Sequence, residues 1–105
     1  MDDAAPAAGT ACGSFLIPDT HPCLPGHFPG NPVVPGVVLL DQALALLFDA
    51  VPDRRLSSLR AVRFRMPVLP GQRLDVRQRP GRDGAVALTC VRGSETVLTA
   101  TVLLA

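Results

Sequence analysis

The sequence predicts an α+β domain in which one long helix lies across a mostly antiparallel sheet of five strands. Its length of 105 residues is that of a single domain. Residues 33–48 form the one apolar segment long enough for a buried helix. The other apolar segments are short, alternate with polar residues and are separated by turns that contain glycine or proline.

The predicted order of elements is strand, loop, helix and then four strands. A frayed tail is expected over residues 1–12, and residues 13–105 are expected to form the domain, with a first strand at 13–18. The helix is expected to begin at Pro35 or Gly36, because proline suits a first helical turn, and to end near Ala50, ahead of Pro52. The later strands are expected at residues 58–66, 74–79, 85–91 and 96–104.

The charges are divided between the two halves of the chain. Residues 1–53 carry six aspartates and no cation, whereas residues 54–105 carry ten arginines and three acids. The arginines form no dense cluster, and the chain has no tryptophan, no tyrosine and four phenylalanines. A protein that binds nucleic acid normally combines basic clusters with aromatic side chains on which bases stack. Binding to nucleic acid is therefore not expected.

Composition also indicates where the protein is located and which cofactors it lacks. The three cysteines form no CxxC pair and cannot all be bridged, which favours a reduced, cytoplasmic location and no metal centre. The acidic N-terminus has no long apolar core and is not expected to be a signal peptide. Pro35, Asp41 and Gln42 interrupt the apolar run, so no membrane span is expected. The high apolar fraction, 48%, suggests that another subunit covers part of the surface.

A stiff loop precedes the predicted helix. From Pro18 to Pro35 there are six prolines and two glycines, and each proline fixes its own φ and restricts the residue before it. Such a backbone suits either a precise site or an ordinary structural crossover. The loop contains His27, and Asp41 follows fourteen residues later within the apolar helix. We interpret His27 and Asp41 as the two halves of an acid–base site.

The start of the helix is a second candidate site. No Ser, Thr, Asp or Asn stands immediately before Pro35 to cap the first turn. The N–H groups of Gly36, Val37 and Val38 are therefore expected to be free. Free N–H groups at this end of a helix favour negative charge, because the helix dipole is positive there.

These residues lie in a motif that resembles a known family. Hot-dog-fold 3-hydroxyacyl-acyl-carrier-protein dehydratases carry the signature H-F-P-G-x-P-x-x-P-G-V, and residues 27–37 read HFPGNPVVPGV. Their K/R-F-x-x-P-V-x-P-G segment is similar to RFRMPVLPG at residues 63–71, and the resemblance covers about residues 14–104. Asp41 falls where the family places its second catalytic residue. The commonest fatty-acid dehydratases have Glu there, whereas Asp is found in the dehydratase-isomerase branch and in the small aryl-polyene-type dehydratases. Asp41 together with the short chain makes the aryl-polyene type the most similar branch.

The resemblance implies a fold and a reaction. The fold is the hot-dog fold, in which the sheet wraps a long central helix. The reaction is dehydration of (3R)-3-hydroxyacyl groups to trans-2-enoyl groups on an acyl carrier protein, in fatty-acid, aryl-polyene or polyketide-like biosynthesis. The substrate would be carried on the phosphopantetheine of that carrier, with no other cofactor. The subunits would pair through their sheets as a homodimer, a heterodimer with another hot-dog subunit, or a higher oligomer.

Each candidate residue then has a role, with His27 and Asp41 supplied by different chains. His27 would take the C2 proton, because a neutral imidazole titrates near working pH. Asp41 would donate a proton to the leaving hydroxyl, because burial in an apolar helix favours the protonated carboxyl group. The N–H groups of Gly36 and Val37 would hold the thioester oxygen as charge develops on it.

Other interpretations remain open. A non-catalytic hot-dog partner or acyl-binding protein is one, and a hot-dog thioesterase or isomerase is another. The presence of both His27 and Asp41 favours catalysis, and no further acid near the loop suggests the water-activating site of a thioesterase.

Four further side chains have alternative interpretations. Arg63 and Arg65 are either the solvated face of a strand or a docking surface for an acidic carrier protein. His21 and Cys23 are interpreted as structural or exposed loop residues, since neither matches the motif.

Overall fold

The fold consists of one α-helix laid against a five-stranded sheet, as seen in a computed structural model that describes residues 9–20 and 33–105. Along the chain the helix and strands follow in the order β1 (Thr10–Phe15), α1 (Gly36–Ala50), β2 (Leu56–Phe64), β3 (Leu74–Pro80), β4 (Val86–Arg92) and β5 (Glu95–Leu104), with a short 3₁₀ turn between β3 and β4. All strand pairs are antiparallel, and the order across the sheet is β1-β3-β4-β5-β2. The predicted α+β class is confirmed, and β1 and β2 are the edges.

The helix has the bounds that the sequence predicts. It begins at Gly36, directly after Pro35, and its last residue is Ala50. One stripe of α1 faces β1 and β3 and is buried, and its residues recur every fourth position: Leu39, Ala43 and Leu47. The opposite stripe is exposed and consists of Val37, Asp41 and Ala45. The helix therefore packs by one side only within the subunit.

Side chains on the inner face of the sheet complete the core. They alternate along the strands with outward-facing residues, as period-two geometry requires. The inner set is almost entirely aliphatic and includes Leu74, Val76, Leu88, Cys90, Leu98, Ala100 and Val102. No charged or polar side chain is buried within the described residues. The core is thus a single apolar layer between α1 and the sheet.

The first strand differs from the prediction. β1 occupies Thr10–Phe15 instead of residues 13–18, so the predicted tail is wrong for residues 10–12. Its sequence has no apolar alternation, and the strand is held instead by backbone pairing with β3. A register shift between Ala11 and Gly13 interrupts this pairing, and Gly13 has a φ of 138°. Backbone pairing at a sheet edge requires little from the side chains, which explains why the sequence of β1 contains no alternating apolar pattern.

The second strand also ends earlier than predicted, at Phe64 instead of residue 66. A register shift between Arg60 and Arg63 interrupts its pairing with β5, and Ala61 within it has a φ of 52°. Beyond this bulge Arg63 pairs with Thr99 of the outer face.

The described thiols lie close to each other in the core region. Cys90 is buried on β4, and burial raises its pKa to about 12, with a smaller contribution from the charge of Cys12. Cys12 is half-buried on β1, and burial also raises its pKa. The chain contains neither lysine nor tyrosine. Thiols are therefore the main groups that titrate above neutral pH.

We predict that the free energy of unfolding falls as the pH rises above about 9. The pKa of Cys90 in the folded state, about 12, exceeds the ordinary thiol value of 9.0, so the folded chain holds this proton more tightly. The stabilisation is complete below the unfolded pKa and is lost as the pH rises towards the folded pKa. Urea unfolding under reducing conditions, repeated across this range, measures the slope.

Cys90→Ala should remove most of that slope, whereas Cys12→Ala, the matched control, should keep the larger part of it. An unchanged slope in the Cys90→Ala variant would show that other groups control alkaline stability.

Candidate active site

An open apolar cleft lies where the start of α1 meets the end of β2. Its volume is about 420 Å³. One wall is formed by residues that lead into the helix, and the other by the segment that follows β2: Val33, Val34, Gly36, Val37 and Leu39 face Phe64, Arg65, Met66, Pro67 and Val68. Arg65 is the one charged side chain among them. The cleft therefore suits an apolar chain with a polar group at its mouth.

A backbone hydrogen bond joins the two walls. The N–H of Val34 donates to the carbonyl oxygen of Val68 at 2.8 Å. The second wall is in turn fixed to the sheet, because the N–H of Arg65 donates to the carbonyl oxygen of Val97 at 2.8 Å. These bonds fix the position of the two walls relative to each other and to the sheet.

Arg92 supports the same wall from behind. Its guanidinium donates to the carbonyl oxygen of Pro67 at 2.9 Å and to Oε1 of Gln72 at 2.8 Å, and it pairs with Glu95 at 3.0 Å. Oε1 of Gln72 also accepts from the N–H of Leu69 at 3.0 Å. Arg92 falls in the turn between the strands predicted at residues 85–91 and 96–104. The sequence does not reveal its role, because Pro67 and Gln72 lie 25 and 20 residues away along the chain.

The helix start opens into the cleft without a side-chain cap. The N–H groups of Val38 and Leu39 donate to the carbonyl oxygen of Pro35 at 3.0 Å and 3.4 Å. The expectation of a free N–H was therefore wrong for Val38. Within the described part of the chain, the N–H groups of Gly36 and Val37 have no acceptor. Two donors at the positive end of the helix thus belong to residues that line the apolar cleft.

The ring of Phe64 lies against Gly36. A Cβ atom at position 36 would lie 2.7 Å from Cε1 and 2.8 Å from Cδ1 of this ring, well inside van der Waals contact. Phe64 is nevertheless half exposed, because the ring also forms part of the cleft wall. Only glycine at position 36 lets the ring approach the first turn this closely.

Asp41 lies one helical turn beyond Val37 on the same face of α1, because residues four apart share a face. Its side chain is exposed, and so is that of Val37, at 69%. The expected burial of Asp41 was wrong within the subunit. Asp41 follows the buried Leu39 by two positions, which turns it roughly 200° away from the core.

The predicted base, His27, lies outside the described residues. The same holds for His21 and Cys23, which were interpreted as structural or exposed loop residues, since all three fall within residues 21–32. Among residues 9–20 and 33–105 no group of three potential ligands is arranged to hold a metal ion. No helix in the same ranges has the length and apolar character needed to cross a membrane.

The fold and cleft together define the class of the protein, a hot-dog-fold domain. One long helix against a five-stranded antiparallel sheet is shared with solved structures of low sequence identity. A chain of the dehydratase heterocomplex ApeI:P from Xenorhabdus doucetiae superposes with a TM-score of 0.74 at 22% identity, over 87% of this chain and 82% of that one. An uncharacterised protein from Erwinia carotovora superposes with a TM-score of 0.68 at 20% identity, over 88% and 79%. At these identities the likeness establishes the fold alone.

The sequence comparison is more specific. Residues 4–100 match the model of the ApeI-like family, described as ApeI dehydratase, and the chain belongs to this family. The match confirms the resemblance to the hot-dog dehydratases and to their aryl-polyene branch.

Curated relatives carry the name 3-hydroxyacyl-acyl-carrier-protein dehydratase FabZ. The protein from Myxococcus xanthus is 48% identical over 66 residues, which are 53% of this chain and 43% of that protein. The protein from Haemophilus influenzae strain Rd is 36% identical over 82 residues, 68% of this chain and 55% of that protein. The chain thus spans about half the length of the curated relatives it matches.

We predict that positions 36 and 64 are energetically coupled. Gly36→Ala should lower the free energy of unfolding by about 1–3 kcal/mol, because the new methyl group overlaps the Phe64 ring. The cost should shrink in a Phe64→Leu background, where the ring is absent. Urea unfolding of both single variants and the double variant measures the coupling.

Leu69→Ala provides the matched control, since Leu69 is exposed to a similar extent and does not line the cleft. An equal cost of Gly36→Ala in the wild type, in Phe64→Leu and in Leu69→Ala would contradict the coupling.

Proposed function

We propose that this protein dehydrates (3R)-3-hydroxyacyl groups on an acyl carrier protein to trans-2-enoyl groups, as a hydro-lyase of fatty-acid, aryl-polyene or polyketide-like biosynthesis in the cytoplasm. The observation that carries the proposal is the apolar cleft at an uncapped helix start, where the N–H groups of Gly36 and Val37 have no acceptor among the described residues. Membership of the ApeI-like family and the names of the curated relatives support the same reaction.

The reaction needs one base, one acid and one electrostatic stabiliser. His27 takes the proton from C2, Asp41 gives a proton to the C3 hydroxyl, and the hydroxyl leaves as water while the C2–C3 double bond forms. The N–H groups of Gly36 and Val37 stabilise the charge that develops on the thioester oxygen. Water loss by this route uses only side-chain and backbone groups, and phosphopantetheine of the carrier presents the acyl chain.

Asp41 can act in a site that excludes water only if another subunit covers the exposed face of α1. The exposed stripe of α1 contains two apolar residues, Val37 and Ala45, on either side of Asp41. Exposure of a valine at 69% beside an open cleft supports a second subunit on this face. The edge strand β2 offers free backbone groups next to the cleft, so antiparallel pairing of two β2 strands would join the sheets. In such a dimer each site would combine His27 of one chain with Asp41 of the other.

A hetero-oligomer is the second form that an observation favours. The solved dehydratase from Xenorhabdus doucetiae is described as a heterocomplex. The covering subunit here is therefore either a second copy or a related hot-dog chain. A non-catalytic partner subunit or acyl-binding protein would use the same cleft to bind an acyl chain but would not dehydrate it. A thioesterase role is less favoured, because no acid of the described cleft is available to activate water besides the Asp41 that a second chain would supply.

The carrier protein approaches the mouth of the cleft through positive charge. Arg63 and Arg65 are exposed, and Arg65 forms part of the cleft wall. Long-range attraction of this kind mainly raises the rate of encounter with an acidic partner.

We predict that His27→Ala and Asp41→Asn each lower kcat at least about 100-fold, because each removes one proton-transfer group. Mass spectrometry of water loss from 3-hydroxyacyl-carrier substrates measures turnover, and circular dichroism verifies the fold. Asp49→Asn is the matched control, since Asp49 is exposed near the end of the same helix. Wild-type turnover in either test variant would remove that residue from the mechanism.

Mixing the two inactive variants tests whether the chains share sites. A mixed dimer has one site in which both His27 and Asp41 are intact, so equal mixing should restore about a quarter of wild-type activity. Native mass spectrometry of isotope-labelled chains establishes that subunits exchange. Exchange without recovered activity would rule out the shared site in a homodimer.

We also predict that Arg63→Glu combined with Arg65→Glu raises KM for carrier-bound substrate, most strongly at low salt. Salt screens charges over about 8 Å at physiological ionic strength, so the effect should shrink as salt is added. Turnover of a short carrier-free thioester should be almost unchanged. Arg55→Glu with Arg82→Glu makes the same charge change elsewhere on the surface. Equal loss on both substrates would assign Arg63 and Arg65 to the fold or the site.

A further inference from the structure

The outer face of the sheet, opposite α1, has an unusual distribution of side-chain sizes. Cross-strand pairing aligns two rows that run across β3, β4, β5 and β2. The first row is Arg79, Ala87, Thr101 and Arg60, and the second is Arg77, Thr89, Thr99 and Arg63. Each row thus has an arginine at both ends and short side chains between them. Because β3 and β2 are three strand spacings apart, the rows form a trough about 14 Å wide between their backbones.

Arginines from both walls of this trough line one shared space. A hollow of about 210 Å³ is lined by Arg63 and Arg65 from the β2 side and by Arg79 from the β3 side. It continues into a hollow of about 340 Å³ that is again lined by Arg65 and Arg79. Thr89 and Thr99 lie on the floor of both. We call these two hollows together the arginine trough.

Every polar side chain of the arginine trough can donate a hydrogen bond. Each hollow is lined by two or three arginines and by three threonines, and by no carboxylate. Within the described residues, no acid lies at ion-pair distance from Arg63, Arg65 or Arg79. Cations that converge without a partner repel one another, so the arrangement favours a bound anion.

The size and donor set of the trough indicate which anion. A phosphate group presents several strong acceptor oxygens in a small volume, and guanidinium groups match its geometry. The threonine hydroxyls add short-range donors from below. A protein carboxylate offers only two oxygens and would leave most of these donors unused. Stacking of nucleobases has no support, because no aromatic side chain lines either hollow.

We propose that the arginine trough binds a phosphate group, on the face of the sheet opposite the helix. The phosphate belongs either to a free phosphorylated small molecule or to a phosphodiester carried by a partner protein. This site is separate from the acid–base chemistry, because Arg79, Thr89 and Thr99 do not line the cleft. Arg65 lines both the cleft and the trough, so the two sites meet at this side chain.

Calorimetric titration of the full chain with inorganic pyrophosphate at low salt tests the site. We expect saturable binding of one pyrophosphate per chain. Arg79→Gln should raise Kd about tenfold, because it removes a charged, multidentate donor. Thr99→Val, which keeps the branched shape and removes the hydroxyl, should raise Kd several-fold. Arg55→Gln, the matched control, removes an exposed charge elsewhere and should change Kd less than about twofold.

Two outcomes would overturn the proposal. One is the absence of saturable pyrophosphate binding by the folded chain. The other is equal weakening by Arg79→Gln and Arg55→Gln, which would reduce the effect to general attraction by net charge. Turnover of a carrier-free thioester by the Arg79→Gln variant, expected to be unchanged, separates failure of this site from failure of the proposed dehydration.

Carrier proteins with and without phosphopantetheine identify the source of the phosphate. If Arg79→Gln weakens binding of the phosphopantetheine form and not of the form without it, the phosphodiester of the carrier is the ligand. If it weakens pyrophosphate binding and neither carrier form, the ligand is a free phosphorylated molecule. Equal weakening of both carrier forms, with no effect on pyrophosphate, would make the trough an acidic-protein contact and overturn the phosphate site.

Discussion

Burial of a single stripe of α1 against the sheet determines the rest of the architecture. Leu39, Ala43 and Leu47 recur every fourth residue, and their burial fixes the rotation of the helix. Once this stripe faces the core, the opposite stripe must face outwards, and Asp41 lies on it. The same rotation places the uncapped first turn at the cleft. The rotation of the helix that packs the core therefore also determines where the candidate acid lies.

The sequence predicted the features that depend on local patterns. The apolar segment between Pro35 and Pro52 predicted the helix within a residue at each end, and short alternating segments predicted four strands. β1 was displaced, because its small and polar residues carry no pattern and its pairing with β3 supplies the order. Of the candidate site, the sequence predicted the uncapped helix start, while the assignment of roles to His27 and Asp41 remains a proposal.

The features that the sequence could not predict depend on register and on distant contacts. Alternation placed Arg63 and Arg65 on the outer face, but only strand order and register align Arg79 with them across the sheet. Arg92 likewise reads as a turn residue until its contact with Pro67 is known. The exposure of Asp41 has a different origin: its neighbours in sequence are apolar, but helical geometry separates residues 39 and 41 by roughly 200° and turns Asp41 away from the core.

The two arginine-ended rows on the outer face also constrain how copies of the chain can assemble. An isologous contact would set each row against a row of the other copy, and arginine would meet arginine at both walls. Two-fold stacking of outer faces is thus opposed by like charge wherever the rows of the two copies face each other. This repulsion favours closed assemblies of the same symmetry that use the helix face or the sheet edges, with the outer faces left towards solvent.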